Sequence, residues 1–444
     1  MTRSLSMWRC FIGILIPWCL LASCGLEKKM GKSARGVLDA DVIRTAHIGI
    51  SIYEPATGKY WYDYQGDRYF VPASNTKIPT CYAAMKHLGD SLVSFSYDEY
   101  PGRIVIFPSG DPSFLNPEFI IQPGVDFLKA VGKPIELNRS AWKESPLGPG
   151  WSWGDYEEPY AAERSIMPLY GNLMTISGSL RALQVEPRAA IRTLTVTGSI
   201  DNSFVSSIHR TRTGNHITIA GGANTPATRR VTLDTEDGEI IAPLLKDTLH
   251  LAVEDGITRK AVRMPPALNS GEIFSQATDS LLRPMMHRSD NFYAEQSLLM
   301  VSNRLLGVMN DRMVIDTLLK NDFNDLPQKP RWVDGSGLSR YNLFTPQDFV
   351  AILNKMRREF GMDRLRTILP TGGEGTISSY YKADSGYIYG KTGTLSGVVA
   401  FSGFLTTRKN KQLIFSILVN NHTGSAADVR RAVEKFLLSV RNQY

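Results

Sequence analysis

The chain has 444 residues and a formal net charge of +7, with hydrophobic residues at 43% and charged residues at 21%. A chain of this length is longer than a domain with a single ordinary hydrophobic core, so it predicts two or more domains or one scaffold with a large insertion. The composition excludes a disordered, collagen-like or coiled-coil chain. Basic and acidic residues are interspersed along the whole chain, so nucleic acid is not the expected partner.

The N-terminus predicts an export signal. In residues 1–24, a basic start is followed by an apolar run at 11–21 that is too short to span a bilayer. The run ends at Leu21-Ala22-Ser23-Cys24, which resembles the bacterial lipobox, where a lipid is attached to the cysteine before cleavage. This resemblance implies a mature N-terminus at Cys24 and an exported body anchored to a membrane face. The alternative is an ordinary signal peptide in which the cysteine occurs by chance.

The next predicted elements are a tether, a hairpin and a helix. A polar tether covers residues 25–37, and alternating apolar residues predict a strand at 42–54. A turn and an aromatic run at 55–64 predict the second arm of a hairpin. A helix is predicted at about 74–88, with Gly89 as its end.

The middle of the chain predicts an insertion. From about residue 97 to 269, Pro- and Gly-rich segments alternate with short β-like runs, such as 194–198 and 216–220, which indicates a mainly β region. Helix and strand patterns then return, with helices at 273–307, 346–359 and 426–440 and strands at 387–399 and 412–419.

A serine and a lysine three residues apart form the first motif, Ser74-Asn75-Thr76-Lys77. On a helix they lie on one face, with Cβ atoms roughly 5–6 Å apart, so the lysine amine can receive the hydroxyl proton. Ser140-Ala141-Trp142-Lys143 is a second match, because this pattern is common by chance. Ser74 is preferred, since a strand-to-helix turn precedes it and places the hydroxyl at the positive helix end.

The second motif is Ser289-Asp290-Asn291, on a polar turn before a predicted helix. A hydroxyl beside a lysine–serine pair can relay a proton to a leaving nitrogen, and a carboxamide can hold a substrate peptide bond. Taken alone, these residue types more often form a helix N-cap.

The third motif is Lys391-Thr392-Gly393-Thr394, in a strand-like run. A lysine, a hydroxyl and a glycine that permits close backbone approach suit a carboxylate docking along a strand edge. Taken alone, an exposed lysine on a strand is the simpler interpretation. The three motifs in this order fill distinct roles in one mechanism, so their joint occurrence favours an active site.

Together the motifs resemble the S-x-x-K, S-x-N and K-T-G set of the serine penicillin-recognising enzymes. The long gap between Ser74 and Ser289 resembles the D-alanyl-D-alanine carboxypeptidase/endopeptidase family of the penicillin-binding protein 4 type (peptidase family S13), which carries one or two domains inserted between these motifs. Further matches cover nearly the whole chain after residue 24, at Val71-Pro72-Ala73, Gly110-Asp111-Pro112, Gly148-Pro149-Gly150-Trp151-Ser152-Trp153, Ala294-Glu295, Asp334-Gly335-Ser336-Gly337-Leu338-Ser339 and Leu369-Pro370.

The resemblance implies a mixed α/β (α+β) fold with a transpeptidase-type core, in which helices flank an antiparallel sheet. The core is expected from residues 38–96 and 270–444, with residues 97–269 as the inserted, mainly β domain or domains. It also implies peptidoglycan peptides as substrates and β-lactams as covalent ligands. No metal or cofactor is expected, because the seven histidines are scattered and no metal-binding motif occurs.

The same resemblance assigns catalytic roles. Ser74 is expected to attack the penultimate D-alanine, and Lys77, with a pKa lowered by burial and neighbouring positive charge, to take the proton. Ser289 is expected to protonate the leaving amine, while Asn291 orients the acyl portion. The remaining implied roles are recognition of the terminal carboxylate by Lys391 with Thr392 and of the oxyanion by the backbone N–H groups of Ser74 and Thr394. Gly393 is expected to permit close approach of the strand, and Asp155 to bind the side-chain amine of the peptide.

Several alternatives stay open. Tyr170-Gly171-Asn172 matches the Y-x-N element that some β-lactamases and esterases use as a second motif. A surface lipoprotein that binds cell-wall peptides without cleaving them is another class, and Asp155 is equally typical of a solvated loop. The family often has an arginine where this chain has Tyr380, so the preference for the peptide side chain is left open, as is the oligomeric state.

Overall fold

The computed structural model describes residues 30–235, 238–256 and 266–443. The predicted export signal and the predicted lipid site at Cys24 lie outside the described residues. Across the part of the chain that is described, no helix is both long enough and apolar enough to cross a bilayer.

Strands and helices alternate along the described chain, with short 3₁₀ turns between some of them. The elements in chain order are α1 (30–38), β1 (His47–Glu54), β2 (Lys59–Tyr64), α2 (Lys77–His87), β3 (Ser91–Tyr100), β4 (Arg103–Pro108), α3 (Pro123–Val131), β5 (Ile135–Leu137), β6 (Leu173–Ser177), β7 (Gln184–Glu186), β8 (Leu194–Thr197), β9 (Ser207–Arg210), β10 (Ile217–Ala220), β11 (Arg229–Thr232), α4 (Ile241–Leu249), β12 (Val253–Asp255), β13 (Asn269–Ala277), α5 (Thr278–His287), α6 (Asn291–Leu306), α7 (Asp311–Lys320), α8 (Pro346–Ile368), β14 (Ile388–Leu395), β15 (Val398–Thr406), β16 (Gln412–Asn420) and α9 (Ala426–Gln443).

Helix α1 occupies most of the segment that the sequence predicts to be a polar tether. Met30, Ala34 and Val37 recur at helical spacing and are buried in an apolar cluster with helix α9. The tether prediction is therefore wrong for residues 30–37, because three apolar side chains among polar ones are enough to make one helix face.

Five antiparallel strands form the sheet that carries the third motif, in the order β14-β15-β16-β1-β2. Successive side chains point to opposite faces. Ala400 and Phe404 of β15 belong to the apolar cluster that includes helices α2, α5, α6, α7 and α8, whereas Val399 and Phe401 belong to the cluster that includes α1 and α9. An antiparallel sheet covered by helices on both faces confirms the predicted core fold.

Helix α2 lies in the middle of the helical layer. Every residue from Lys77 to Met85 is buried, and the helix packs against α5, α6 and α8. A helix that is buried on all sides has little freedom to tilt or slide. Its N-terminus is therefore a rigid place for a reactive group.

A second five-stranded sheet, in the order β12-β5-β4-β3-β13, begins and ends the inserted segment. Strands β3 and β13 pair antiparallel, so the chain leaves the core and returns to it side by side. The predicted limits at 96/97 and 269/270 fall within β3 and at the first residue of β13. Two three-stranded sheets, β11-β6-β7 and β8-β10-β9, share an apolar cluster with this sheet that includes Ile106 and Ile217.

Candidate active site

Ser74 lies on a 3₁₀ turn, Ala73–Thr76, directly before helix α2. Ala73 has a φ of 47°, in the left-handed region that a residue with a Cβ adopts only when its surroundings hold it there. The Thr76 hydroxyl donates to the Ala73 carbonyl at 2.9 Å and stabilises the turn. Ser74 is half-buried, whereas Asn75 and Thr76 are fully buried. The turn thus holds an accessible hydroxyl in a fixed position.

Lys77 begins helix α2, and its side chain is fully buried. Its Nζ donates to Ser74 Oγ at 3.0 Å, to Asn291 Oδ1 at 2.6 Å and to the Ser336 carbonyl at 2.8 Å. An ammonium group has three protons to donate. The three acceptors therefore fix the lysine with its nitrogen beside the Ser74 hydroxyl.

Burial lowers the pKa of Lys77 to about 8. The carboxylates of Glu295, Asp334 and Asp290 act in the opposite direction. The predicted effect of a neighbouring positive charge is found at the second lysine of the site, because the charge of Lys77 lowers the pKa of Lys391.

The second motif is both a helix cap and a part of the site. Asp290 is the N-cap of α6, and its side chain accepts a backbone N–H of the first turn at 2.9 Å. Asn291 accepts from Lys77 through Oδ1, and its Nδ2 donates to the Tyr160 carbonyl at 2.9 Å. The N-cap interpretation is confirmed, and the flanking Ser289, with a φ of 64°, faces the third motif.

Lys391 lies on β14, the edge strand of its sheet, and is fully buried. Its Nζ donates to Ser289 Oγ at 2.9 Å and to the Thr392 carbonyl at 2.7 Å. Burial, and then the charge of Lys77, lower the pKa of Lys391 well below the usual lysine range. The structure thus brings together two hydroxyl–lysine pairs, Ser74 with Lys77 and Ser289 with Lys391.

Gly393 lets strand β14 run against the Ser74 turn. A Cβ at this position would lie 2.6 Å from the Pro72 carbonyl oxygen and 3.0 Å from the Ser74 nitrogen. A side chain there would push the strand away from Ser74. The backbone of β14 therefore approaches the Ser74 turn closely, which is the role expected of the glycine of the third motif.

A loop at 334–339 closes the inner wall of the site. Asp334 accepts backbone N–H groups from Gly337 at 2.8 Å and from Ser339 at 2.7 Å. Gly337 has a φ of 84°, and a Cβ there would meet the Ala73 carbonyl oxygen at 1.9 Å. The loop thereby presents the Ser336 carbonyl to Lys77.

Sequence reasoning gives no role to a buried ionic cluster behind this loop. Glu295 Oε1 accepts from the Ser336 N–H at 2.7 Å, and its Oε2 lies 3.6 Å from Arg164 Nη1. Arg164 is fully buried, pairs with Asp311, and lies 3.4 Å from Glu144. The sequence signals are the Ala294-Glu295 match and the position of Glu295, which follows Asn291 by one helical turn. Arg164, which belongs to the insertion, thus pairs with Glu295, the residue that accepts the Ser336 N–H.

Asp155 lies on a 3₁₀ turn of the inserted region and is half-buried. Burial, and then the charge and hydrogen bond of Asp155, raise the pKa of the Tyr160 hydroxyl to about 12. The Tyr160 backbone carbonyl in turn receives Asn291 Nδ2. Asp155 is therefore close to the residue that borders Asn291, and it does not touch the two lysines in the described structure.

The structure does not place the alternative motifs, Tyr170-Gly171-Asn172 and Ser140-Ala141-Trp142-Lys143, in contact with Lys77. Tyr170 Oη is 2.9 Å from Thr248 Oγ1, and Asn172 Nδ2 donates to the Glu163 carbonyl at 2.7 Å, both inside the inserted region. Tyr170 lines an open cavity of about 800 Å³ that Ser289 and Asn291 also line. Ser140 lies in an exposed turn and not on a helix, so its motif lacks the geometry that pairs a serine with a lysine.

The ring of Tyr380, the residue for which the resemblance leaves the side-chain preference open, is covered by an arginine. The Arg431 guanidinium lies 4.3 Å from the Tyr380 ring centroid and pairs with Glu434 at 2.6 Å. This arrangement places an arginine of α9 over the loop that precedes the third motif.

Comparisons with known proteins agree with the fold and the motifs. The chain matches the D-Ala-D-Ala carboxypeptidase 3 (S13) family over residues 32–440. It is 25% identical to the D-alanyl-D-alanine carboxypeptidase of Actinomadura sp. (strain R39) over 88% of this chain and 80% of the relative. Penicillin-binding protein 4 of Haemophilus influenzae superposes with a TM-score of 0.70 at 18% identity, over 93% of this chain and 98% of that one.

Two further structures are similar. The same Haemophilus protein in complex with a β-lactam gives a TM-score of 0.65 at 18% identity, over 93% of this chain and 98% of that one. A predatory peptidoglycan endopeptidase of Bdellovibrio bacteriovorus gives a TM-score of 0.54 at 13% identity, over 90% of this chain and 93% of that one. At these identities the two structures support the fold.

The fold and the family match define a serine-type peptidase, which is a hydrolase. The chain belongs to the D-Ala-D-Ala carboxypeptidase 3 (S13) family. The family predicted from the three motifs is therefore confirmed.

Proposed function

We propose that the protein is a serine D-Ala-D-Ala carboxypeptidase that also cleaves D-Ala cross-links and acts on peptidoglycan stem peptides through an acyl-enzyme on Ser74. The observation that carries the proposal is the 3.0 Å hydrogen bond from the buried Lys77 to the accessible Ser74 hydroxyl. A nucleophile in contact with a desolvated amine is the arrangement that activates a serine. The family match and the named relatives support the substrate class.

In the acylation step, Ser74 Oγ attacks the carbonyl carbon of the penultimate D-alanine, and neutral Lys77 takes the hydroxyl proton. The developing oxyanion accepts hydrogen bonds from the backbone N–H groups of Ser74 and Thr394, and the close approach of Gly393 to the Ser74 nitrogen supports this assignment. The C–N bond then breaks, and Ser289 donates a proton to the leaving D-alanine nitrogen. Lys391 can restore the proton of Ser289 through their 2.9 Å hydrogen bond.

Substrate binding follows from the same elements. Asn291 holds the acyl portion of the peptide, and Lys391 with Thr392 attracts the terminal carboxylate at the edge of β14. Asp155 receives the free amine of the peptide side chain. Water then hydrolyses the acyl-enzyme. A β-lactam acylates the same serine, which agrees with the β-lactam complex of the Haemophilus relative. For the cellular location we propose an exported protein anchored by a lipid on Cys24.

The test is intact-mass spectrometry of the domain from residue 25 onward, with a fluorescent penicillin. One covalent adduct on the wild type and on Ser140→Ala, and none on Ser74→Ala, is expected, since of these two serines Ser74 is the one that the structure pairs with a lysine on a helix. D-alanine release from a stem pentapeptide by the same three proteins then checks the reaction. A well-folded wild type that forms no adduct and releases no D-alanine would favour the non-catalytic binder.

The rate of acylation should rise with pH. Below its pKa of about 8, Lys77 is mostly protonated and cannot accept the Ser74 proton. The rate constant for adduct formation is therefore expected to increase about tenfold per pH unit between pH 5.5 and 7, and to level off above the Lys77 pKa. Stopped-flow acylation over this range provides the measurement, and a rate that does not change with pH would contradict the role of Lys77.

Removing the Ser289 hydroxyl should distinguish the two candidate second motifs. Ser289→Ala is expected to slow acylation by about 10²-fold, because it removes the proton relay beside Lys391. Tyr170→Phe is expected to keep the rate within about twofold, because the Tyr170 hydroxyl is bonded to Thr248. Both variants are compared by the rate of adduct formation. The opposite order of effects would return the relay role to Tyr170.

A further inference from the structure

Helix α9 places an arginine beside the third motif. Arg430 Nη2 donates to the Thr394 side-chain hydroxyl, and Thr394 is exposed at the edge of the site. No carboxylate of the described residues forms an ion pair with Arg430 in this structure, whereas the next residue, Arg431, pairs with Glu434 at 2.6 Å. A guanidinium has five N–H donors, so Arg430 keeps donors for a ligand.

Strand β14 presents two hydroxyl groups on the same side as Arg430. Thr392 and Thr394 are two residues apart, so their side chains share one face of the strand. Thr392 Oγ1 donates to Thr376 Oγ1 at 2.7 Å, and Thr392 and Arg430 line the same small cavity of about 20 Å³. Two hydroxyls and a guanidinium on one face match the two oxygens of a carboxylate.

Lys391 attracts this carboxylate in the proposed function, but it supplies only part of the positive charge. Its Nζ is buried and already donates to Ser289 Oγ and to the Thr392 carbonyl. Burial and the charge of Lys77 also lower the pKa of Lys391 well below the usual lysine range. An arginine stays charged at any working pH and can bind a carboxylate with two parallel hydrogen bonds. The site therefore gains a permanent cation from α9.

We infer that Arg430, together with Thr394, binds the substrate carboxylate on the carbon next to the leaving nitrogen. In the carboxypeptidase reaction this is the terminal carboxylate of D-alanine. In cross-link cleavage it is the carboxylate beside the amine that is released. Arg430 thus makes the enzyme select leaving groups with a free carboxylate over amidated ones. This inference rests on the proposed function.

The experiment compares kcat/KM for a stem peptide that ends in D-Ala-D-Ala with kcat/KM for the same peptide ending in D-alaninamide. Wild type should prefer the free carboxylate. Arg430→Gln is expected to lower kcat/KM for the carboxylate peptide about 10- to 100-fold. The same variant should change kcat/KM for the amide peptide less than about threefold, so the preference for the free carboxylate is largely lost. Arg430→Lys should recover part of the preference, because it restores the charge without the paired donors.

Arg431→Gln is the matched control, since it removes the neighbouring arginine of the same helix and should leave the preference unchanged. Melting curves of all variants check the fold. A carboxylate preference in Arg430→Gln equal to that of an active wild type would overturn this inference alone. A wild type that releases neither D-alanine nor D-alaninamide would overturn the proposed function, and the inference with it.

Discussion

Replacing Lys77 with methionine is expected to slow acylation by a β-lactam about 10²- to 10⁴-fold. Among the described residues, Lys77 is the basic side chain that the structure places in hydrogen-bond contact with Ser74 Oγ. Methionine has a similar length and fits the buried position, but it cannot accept a proton. The measurement is the rate constant of adduct formation at saturating β-lactam, which separates the chemical step from non-covalent binding.

Two controls make the Lys77→Met result specific. Lys143→Met removes the lysine of the second S-x-x-K match and should acylate at the wild-type rate. The Lys77 variant leaves the Asn291 and Ser336 oxygens without their lysine donor, at a cost of about 1–3 kcal/mol each, so its melting curve must show a folded protein at the assay temperature. A folded Lys77→Met that acylates within tenfold of wild type would remove Lys77 from the base role.

The local part of the site could be predicted from the sequence. Ser74 and Lys77 are three residues apart, and a helical turn alone brings them within reach, as the 3.0 Å hydrogen bond shows. The contacts of Lys77 with Asn291, and of Lys391 with Ser289, join distant segments. No spacing rule gives those contacts, so only the resemblance of the whole motif set could suggest them.

The element boundaries were harder to predict because tertiary packing decides them. The pattern at 273–307 predicts one helix, and the structure has strand β13 followed by α5 and α6. The break falls at Ser289, whose φ of 64° ends the helical geometry and aims the second motif at Lys391. The α1 segment shows the opposite error, because a helix was not predicted there. Its sequence has few apolar residues and suggests a polar tether, yet those residues pack in one cluster with α9.

Buried charges were missed because a sequence does not show burial. Arg164 and Glu295 look like ordinary surface residues in the chain, yet both are fully buried. Buried ion pairs form only when distant segments meet, here the insertion and helix α6. The connection of Arg164 and Glu295 to the site depends on the loop at 334–339, which lies between Glu295 and Lys77 in the structure.

Replacing Arg164 with alanine is expected to destabilise the protein by about 3–5 kcal/mol, because buried carboxylates would lose their cation. Glu295, Asp311 and Glu144 all lie within 4.0 Å of the Arg164 guanidinium. The corresponding fall in melting temperature is roughly 5–15 °C. The matched control is Arg366→Ala, whose exposed pair with Asp363 should contribute less than about 1 kcal/mol.

The pH dependence of the Arg164→Ala effect has a definite sign. Burial raises the pKa of Glu295 to about 8 and that of Asp311 to about 7, while the charge of Arg164 lowers both. Without the charge of Arg164 both pKa values rise further, so folded Arg164→Ala keeps protons that the folded wild type has released, and the variant's free energy of unfolding falls relative to wild type as the pH rises through 7 and 8. The loss of melting temperature in Arg164→Ala should therefore be larger at pH 8.5 than at pH 5.5.

The same variant should also slow acylation, because the cluster is connected to the catalytic lysine. Arg164 holds Glu295, Glu295 holds the Ser336 N–H, and the Ser336 carbonyl holds Lys77 Nζ. At a temperature where Arg164→Ala is folded, its acylation rate should fall while Arg366→Ala keeps the wild-type rate. A variant that loses stability but acylates normally would show that the insertion stabilises the core without positioning Lys77.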